Sequence, residues 1–179
     1  MVALMAGLAK CSLWEPIYIM NHTTEITNKY LTFLLANEEY AVDILRVQEI
    51  KGWSKVTTIP NTPLYICGVI NLRGTIVPII DLRLRFDLER QEHGPMTVMV
   101  VIKVISPNTK ERVMGIVVDA VSDVYDVTEN EIKPAPEFGS VISTEFIRGL
   151  ATVGEKMVIV LDIDQLLNSN ELAIVESIS

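Results

Sequence analysis

Histidines, cysteines and paired carboxylates are the groups from which a chain builds acid–base, nucleophilic or metal chemistry, and here they are few and scattered. There are two histidines, His22 in an N-terminal tail and His93 in a polar connection, neither in a pattern that would bury a carboxylate beside it. Cys11 lies in the same tail and Cys67 inside a strand-like run, which suits two reduced thiols better than a disulfide. No G-x-S-x-G elbow, phosphate-cradling glycine loop or C-x-x-C pair occurs. Asp81 and Asp162 each end an apolar run, where an aspartate caps a turn or a following helix. These side chains predict no enzyme, with no catalytic residue, no metal ligand and no cofactor, and leave a binding module as the better class.

One side chain is set apart by its position. The run from Ile66 to Leu82, I-C-G-V-I-N-L-R-G-T-I-V-P-I-I-D-L, reads as a tight hairpin: β-branched residues on both sides are interrupted by turn chemistry from Asn71 to Gly74. Gly74 can supply a positive φ at the corner, where a residue with a Cβ pays ~1 kcal/mol or more. Arg73 is thereby held at the tip of a rigid turn. By itself an arginine in such a corner is an ordinary solvated turn residue.

The elements that position this turn are strands. Isoleucine and valine contribute 21 residues each among 179, against eight prolines and nine glycines, so the chain should fold as mainly β. Its length allows one ordinary domain or two very small ones. From Lys29, K-Y-L-T-F-L-L-A, N-E-E and Y-A-V-D-I read as strand, turn, strand. Leu45 to Ile50 suits a further strand or a helical turn, and Trp53 to Pro63 a short strand followed by a proline-broken loop. Leu82 to Pro95 is a charged surface connection. Thr97 to Ile105 is apolar on both faces, Val113 to Val127 alternates Val with Asp, and Arg148–Val153 and Met157–Ile163 supply two more strands. Short helices are expected from Asp164 and near Glu171.

Acidic residues outnumber basic ones by 23 to 15, for a net charge of −8, and the basic residues form no stripe, which disfavours nucleic acid as a partner. No stretch approaches the ~20 apolar residues that span a bilayer, so direct membrane insertion is not expected. The start, M-V-A-L-M-A-G-L-A-K-C, lacks a basic n-region and carries Lys10 where a small residue would precede the cysteine, so it is not read as a signal peptide. Residues 1–28 are expected to be a poorly ordered extension.

The chain also aligns with itself. Val42, Ile44, Val47, Glu49 and Ile50 precede Ile116, Val118, Val121, Asp123 and Val124 by 74 residues. Gly68, Val77 and Asp81 precede Gly149, Val158 and Asp162 by 81, so the second half carries about seven extra residues, assigned to the Pro134–Ser143 loop. Two related units of ~70 residues, each with five or so short strands, suit small closed barrels without exposed edges. Packing two such thin-cored units together would bury a third apolar layer, which accounts for strands without clean alternation.

The run G-V-I-N-L-R-G-T-I-V-P-I-I-D-L-R, with Y-A-V-D-I-L-R-V-Q-E-I before it and G-I-V-V-D-A-V-S-D-V after it, closely resembles the CheW family of bacterial chemotaxis coupling proteins. The similarity covers roughly Lys29 to Ser169, within a CheW-like domain taken as 29–175. The resemblance implies two pseudo-symmetric SH3-like five-stranded β-barrels, about 29–92 and 93–169, packed through a shared core, with short helices and strand exchange at the chain ends. It further implies a cytoplasmic adaptor recruited to membrane-associated receptor arrays. There it would link the cytoplasmic tips of methyl-accepting chemotaxis receptors to the regulatory domain of the histidine kinase CheA. The chain has no phosphotransfer, ATP-binding or receiver segment, so the resemblance is to the free-standing adaptor and not to the kinase or the fused CheV type.

Carried over residue by residue, the receptor surface matches Val47, Glu49, Arg73 and Val124, with Asn71 and Gly74 holding the turn. Taken singly, a valine in that pattern is core and a glutamate is a solvated charge. Phe138, presented with Glu137 by P-A-P-E-F, matches a loop implicated in kinase and ring contacts, although a loop aromatic can equally fold onto its own unit.

Overall fold

The computed structural model describes residues 27–105, 111–136 and 145–167. Glu137, Phe138, the extension up to residue 26 and the expected helix near Glu171 lie outside them. The strands are β1 (Thr27–Leu35), β2 (Glu38–Asp43), β3 (Val47–Gly52), β4 (Ile66–Leu72), β5 (Thr75–Asp81), β6 (Val98–Ile105), β7 (Glu111–Val118), β8 (Ala120–Thr128), β9 (Ile147–Val153) and β10 (Lys156–Leu161). Two short helices, α1 (Leu82–Arg85) and α2 (Ile163–Leu167), follow β5 and β10. The open choice at Leu45–Ile50 resolves into both alternatives, a 3-10 turn over Ile44–Arg46 running into β3.

The strands form two five-stranded sheets, ordered β8-β1-β2-β10-β9 and β3-β6-β7-β5-β4. Under the internal repeat these are one order written twice. Each hairpin is used crosswise: β1–β2 joins β8, β9 and β10, while β6–β7 joins β3, β4 and β5. Two short parallel pairings make the joins, Ile79 to Asp81 against Gly115 to Val117 and Ile159–Val160 against Tyr40–Ala41.

The expectation of closed barrels needs correction, because neither ladder runs round to pair its end strands. Among the described residues, a single bridge approaches closure in each sheet. Thr57 exchanges backbone hydrogen bonds of 2.9 and 2.8 Å with Val69 of β4, and Lys133 exchanges bonds of 2.8 and 2.7 Å with Leu150 of β9. The segment expected as a strand at Trp53–Pro63 contributes only this bridge. Pro60, Pro63 and Pro134 lack the N–H that a continuing ladder would need.

Both crossings depend on a glycine one residue before the bridge. A Cβ on Gly68, whose φ is +140°, would collide with the Thr57 carbonyl oxygen and lie 2.7 Å from its carbon. A Cβ on Gly149 would lie 2.5 Å from the Lys133 oxygen. The repeat offset that pairs these two glycines therefore has a steric cause.

The apolar residues sort into three clusters, as expected of two thin cores and a layer between them. Tyr30, Ala41, Val127, Val158 and Val160 fill the first sheet's own core, and Ile70, Val77, Ile79, Met99, Val101 and Val117 the second's. A larger shared cluster joins Leu31, Phe33, Leu35 and Leu161 to Ile80, Val100, Ile102, Val104 and Ile116. β6 shows why alternation fails: Met99 and Val101 point into one core while Val100, Ile102 and Val104 point into the shared one. Asp81 caps α1, its Oδ1 accepting from the N–H groups of Arg83 (2.9 Å) and Leu84 (3.4 Å), and Asp162 Oδ1 accepts from Gln165 N–H at 2.9 Å.

Candidate functional site

The β4–β5 ladder pairs Leu72 with Thr75, which leaves Arg73-Gly74 as a two-residue loop. Such a loop follows the strand twist when both residues have positive φ, and here φ is +51° at Arg73 and +91° at Gly74. Asn71 secures the corner by accepting the Gly74 N–H on Oδ1 at 2.8 Å. The glycine expected to carry the unusual backbone does so, and Arg73 shares it at a cost of about 1–2 kcal/mol.

Glu49 reaches this corner from the far end of the same sheet. Between Val47, opposite Ile102, and Glu49, opposite Val101, β3 holds one residue more than β6, a bulge at Gln48. Glu49 Oε2 then lies 3.1 Å from Arg73 Nη2, with the arginine side chain 84% exposed and the glutamate 29%. The pair sits on the rim of a shallow cleft of about 380 Å³ whose floor is Leu72, Val77 and Val113. An acid and a base thus flank an apolar floor, an arrangement that can fix the register of an amphipathic segment laid across it.

The other expected site residues are distributed differently. Val47 is half-buried and packs against the shared core. Val124, 44% exposed, stands opposite Leu31 on β8 in the other sheet. The cleft's lining includes Glu49 and Arg73 and none of Val47, Asn71, Gly74 or Val124.

One group of side chains was missed by sequence reasoning. His93, expected far from any buried carboxylate, has its Nε2 3.3 Å from Oδ2 of buried Asp81, and its ring stacks on Trp53 at 3.9 Å. The Cys67 thiol completes the group. A turn folds the connection back: Gly94 N–H donates to Thr97 Oγ1 at 2.9 Å, and Trp53 N–H to the Thr97 carbonyl at 2.9 Å. The Gly94-Pro95 dipeptide was the available signal, but its direction depends on Trp53, distant in sequence. Arg83 and Asp119, also unremarked in sequence, form a two-pronged pair with both contacts at 2.6 Å.

The CheW-like domain family matches residues 29–171. The chain is 49% identical over 175 residues to the chemotaxis protein CheW of Klebsiella aerogenes, covering 98% of each. It is 35% identical over 150 residues to that of Rhizobium meliloti, covering 84% of this chain and 94% of the relative. The crystal structure of the scaffolding protein TtCheW from Thermoanaerobacter tengcongensis superimposes with a TM-score of 0.71 at 34% identity, covering 82% of this chain and 96% of that one.

Proposed function

Because this chain belongs to the CheW-like family, we propose that it is a non-enzymatic adaptor coupling chemoreceptors to the chemotaxis histidine kinase CheA. The observation that carries the reading is the Glu49–Arg73 pair on the rim of an apolar-floored cleft. A helical receptor tip laid there would bury apolar area on Leu72 and Val113 while the two charges set its register. Asn71 and Gly74 act by fixing the turn, and Val47 and Val124 extend the surface toward the first sheet.

The two sheets act as SH3-like barrels with exchanged hairpins, a reading supported by the Thr57–Val69 and Lys133–Leu150 bridges between the segments after β3 and β8 and the opposite ends of the sheets. One barrel docks on a barrel of the kinase regulatory domain, and Glu137 and Phe138 lie at a further kinase contact, outside that binary one, through which the alternation closes rings and builds ternary arrays. The adaptor works in the cytoplasm at membrane-associated receptors. Among the described residues no helix is long and apolar enough to cross a membrane.

The test is kinase autophosphorylation with receptor fragments, with and without this protein. Activation that requires both receptor and this protein supports coupling; no effect with well-matched partners refutes it. Phe138→Ala should spare binary kinase binding and abolish larger assemblies, and loss of binary binding would remove Phe138 from the ring contact.

A further inference from the structure

We propose that Cys67 Sγ, Asp81 Oδ2 and His93 Nε2 form a three-ligand site for one divalent cation of the zinc class. One ligand atom from each of the three residues lies within 4.8 Å of the other two, and Asp81 Oδ2 and His93 Nε2 are 3.3 Å apart. A tetrahedral zinc ion with bonds of ~2.0–2.3 Å holds its ligand atoms roughly 3.3–3.7 Å apart. The carboxylate and imidazole are therefore already at ligand spacing, and the thiol needs a movement of about 1–1.5 Å at most.

Each ligand is held for this geometry. Asp81 spends Oδ1 on the cap of α1 and turns Oδ2 toward His93. Trp53 stacks against the imidazole, fixing its plane. Cys67 is the extra residue where the β4–β5 register shifts between Ile66 and Gly68, a bulge of the kind that re-aims a side chain. Arg83, the nearest cation in sequence to Asp81, has its charge compensated by Asp119 at 2.6 Å.

The donor set selects the ion. A thiolate and an imidazole beside one carboxylate suit zinc and its analogue cobalt, whereas magnesium and calcium take oxygen ligands. Three protein ligands leave a fourth position, and a cleft of about 230 Å³ bordered by Asp81, His93 and Gly94 gives water access to it. Ion entry displaces the thiol proton of Cys67, forming the metal–sulfur bond and releasing one proton to solvent. Once bound, the ion would tie the Leu82–Pro95 connection to the β4–β5 hairpin.

The experiment uses the full chain without a polyhistidine tag, titrated with cobalt(II), then competed with zinc(II). One equivalent should bind with a thiolate-to-cobalt charge-transfer band that persists in Cys11→Ser and vanishes in Cys67→Ser. His93→Gln, a change at a partly exposed side chain, should weaken binding about tenfold or more. Zinc should raise the melting temperature of the wild type and not of His93→Gln, a readout that stands even if Cys67→Ser folds poorly. Absence of the band in the wild type, its survival in Cys67→Ser, or unchanged affinity in His93→Gln overturns the proposal.

Discussion

Replacing Arg73 by alanine separates binding from folding, because the structure gives this side chain only one described ionic partner. With Arg73 84% and Glu49 29% exposed, the pair is worth about 0.2–1 kcal/mol to stability. The positive φ remains in alanine, so that strain is neither relieved nor added. A change of at most ~1 kcal/mol in a chain of this size moves the melting temperature by about 2–4 °C. Shielded inside a receptor interface, the same guanidinium would make charge-assisted hydrogen bonds worth about 1.5–3 kcal/mol, a roughly 10- to 150-fold change in dissociation constant. Thermal melts followed by circular dichroism, together with titration of receptor fragments, measure both quantities on one sample. Arg73→Lys should fall between, since it keeps the charge and loses the planar fork. Unchanged receptor affinity in a folded Arg73→Ala variant would refute the assignment. A melting temperature lowered by well over ~4 °C would show that the residue holds the hairpin instead.

Gly68→Ala should destabilise by about 2–5 kcal/mol in urea titration, combining left-handed strain with overpacking against Thr57, and a near-neutral result would mean that this crossing is loose. Gly149→Ala, with no φ strain but a carbonyl 2.5 Å from the new Cβ, should cost less, about 1–3 kcal/mol. Burial pushes the Asp119 carboxyl up, but hydrogen bonds from Arg83 and the Ala36 N–H together with the Arg83 charge outweigh it and hold it below the ordinary value of 3.8. Its stabilising contribution is therefore complete above that value and lost as pH falls through the lower folded value. Asp119→Asn should accordingly destabilise at neutral pH, by about 1–2 kcal/mol, with a difference from wild type that shrinks in acid; a pH-independent difference would exclude the carboxylate charge as its cause.

Much of the fold was legible because burial on two faces leaves a mark in sequence. Thr97–Ile105 could not be a strand with one wet face, and the third apolar layer inferred from it is the shared cluster around Val100, Ile102 and Val104. Gly68 and Gly149 stood out as a repeat pair, and each is the residue over which another backbone crosses. The crosswise use of β1–β2 and β6–β7 left no such mark. The two hairpins occupy equivalent places in sheets of the same order, so their apolar patterns satisfy either sheet equally well. Only the lengths of the connections and the three-dimensional seam decide between the two arrangements.

The same distinction runs through the candidate sites. Arg73 was legible because a two-residue turn is a local device, specified by Asn71 and Gly74 on either side. Its partner Glu49 was reached only through the family resemblance, since meeting Arg73 requires the bulge at Gln48 and the return of β3 toward the opposite end of its own sheet, both set by long-range packing. His93 was misjudged for a parallel reason. Polar neighbours marked it as surface connection, yet stacking on Trp53 and the Gly94–Thr97 turn carry it onto a buried carboxylate. In both cases side chains distant in sequence are gathered where the strands fail to close the sheet. Glu49 with Arg73, like Thr57 with Val69, spans the gap between β3 and the β4–β5 hairpin that no ladder bridges. A ligand seated on that seam would touch both ends of one sheet at once, so its binding should stiffen the seam as well as occupy the cleft.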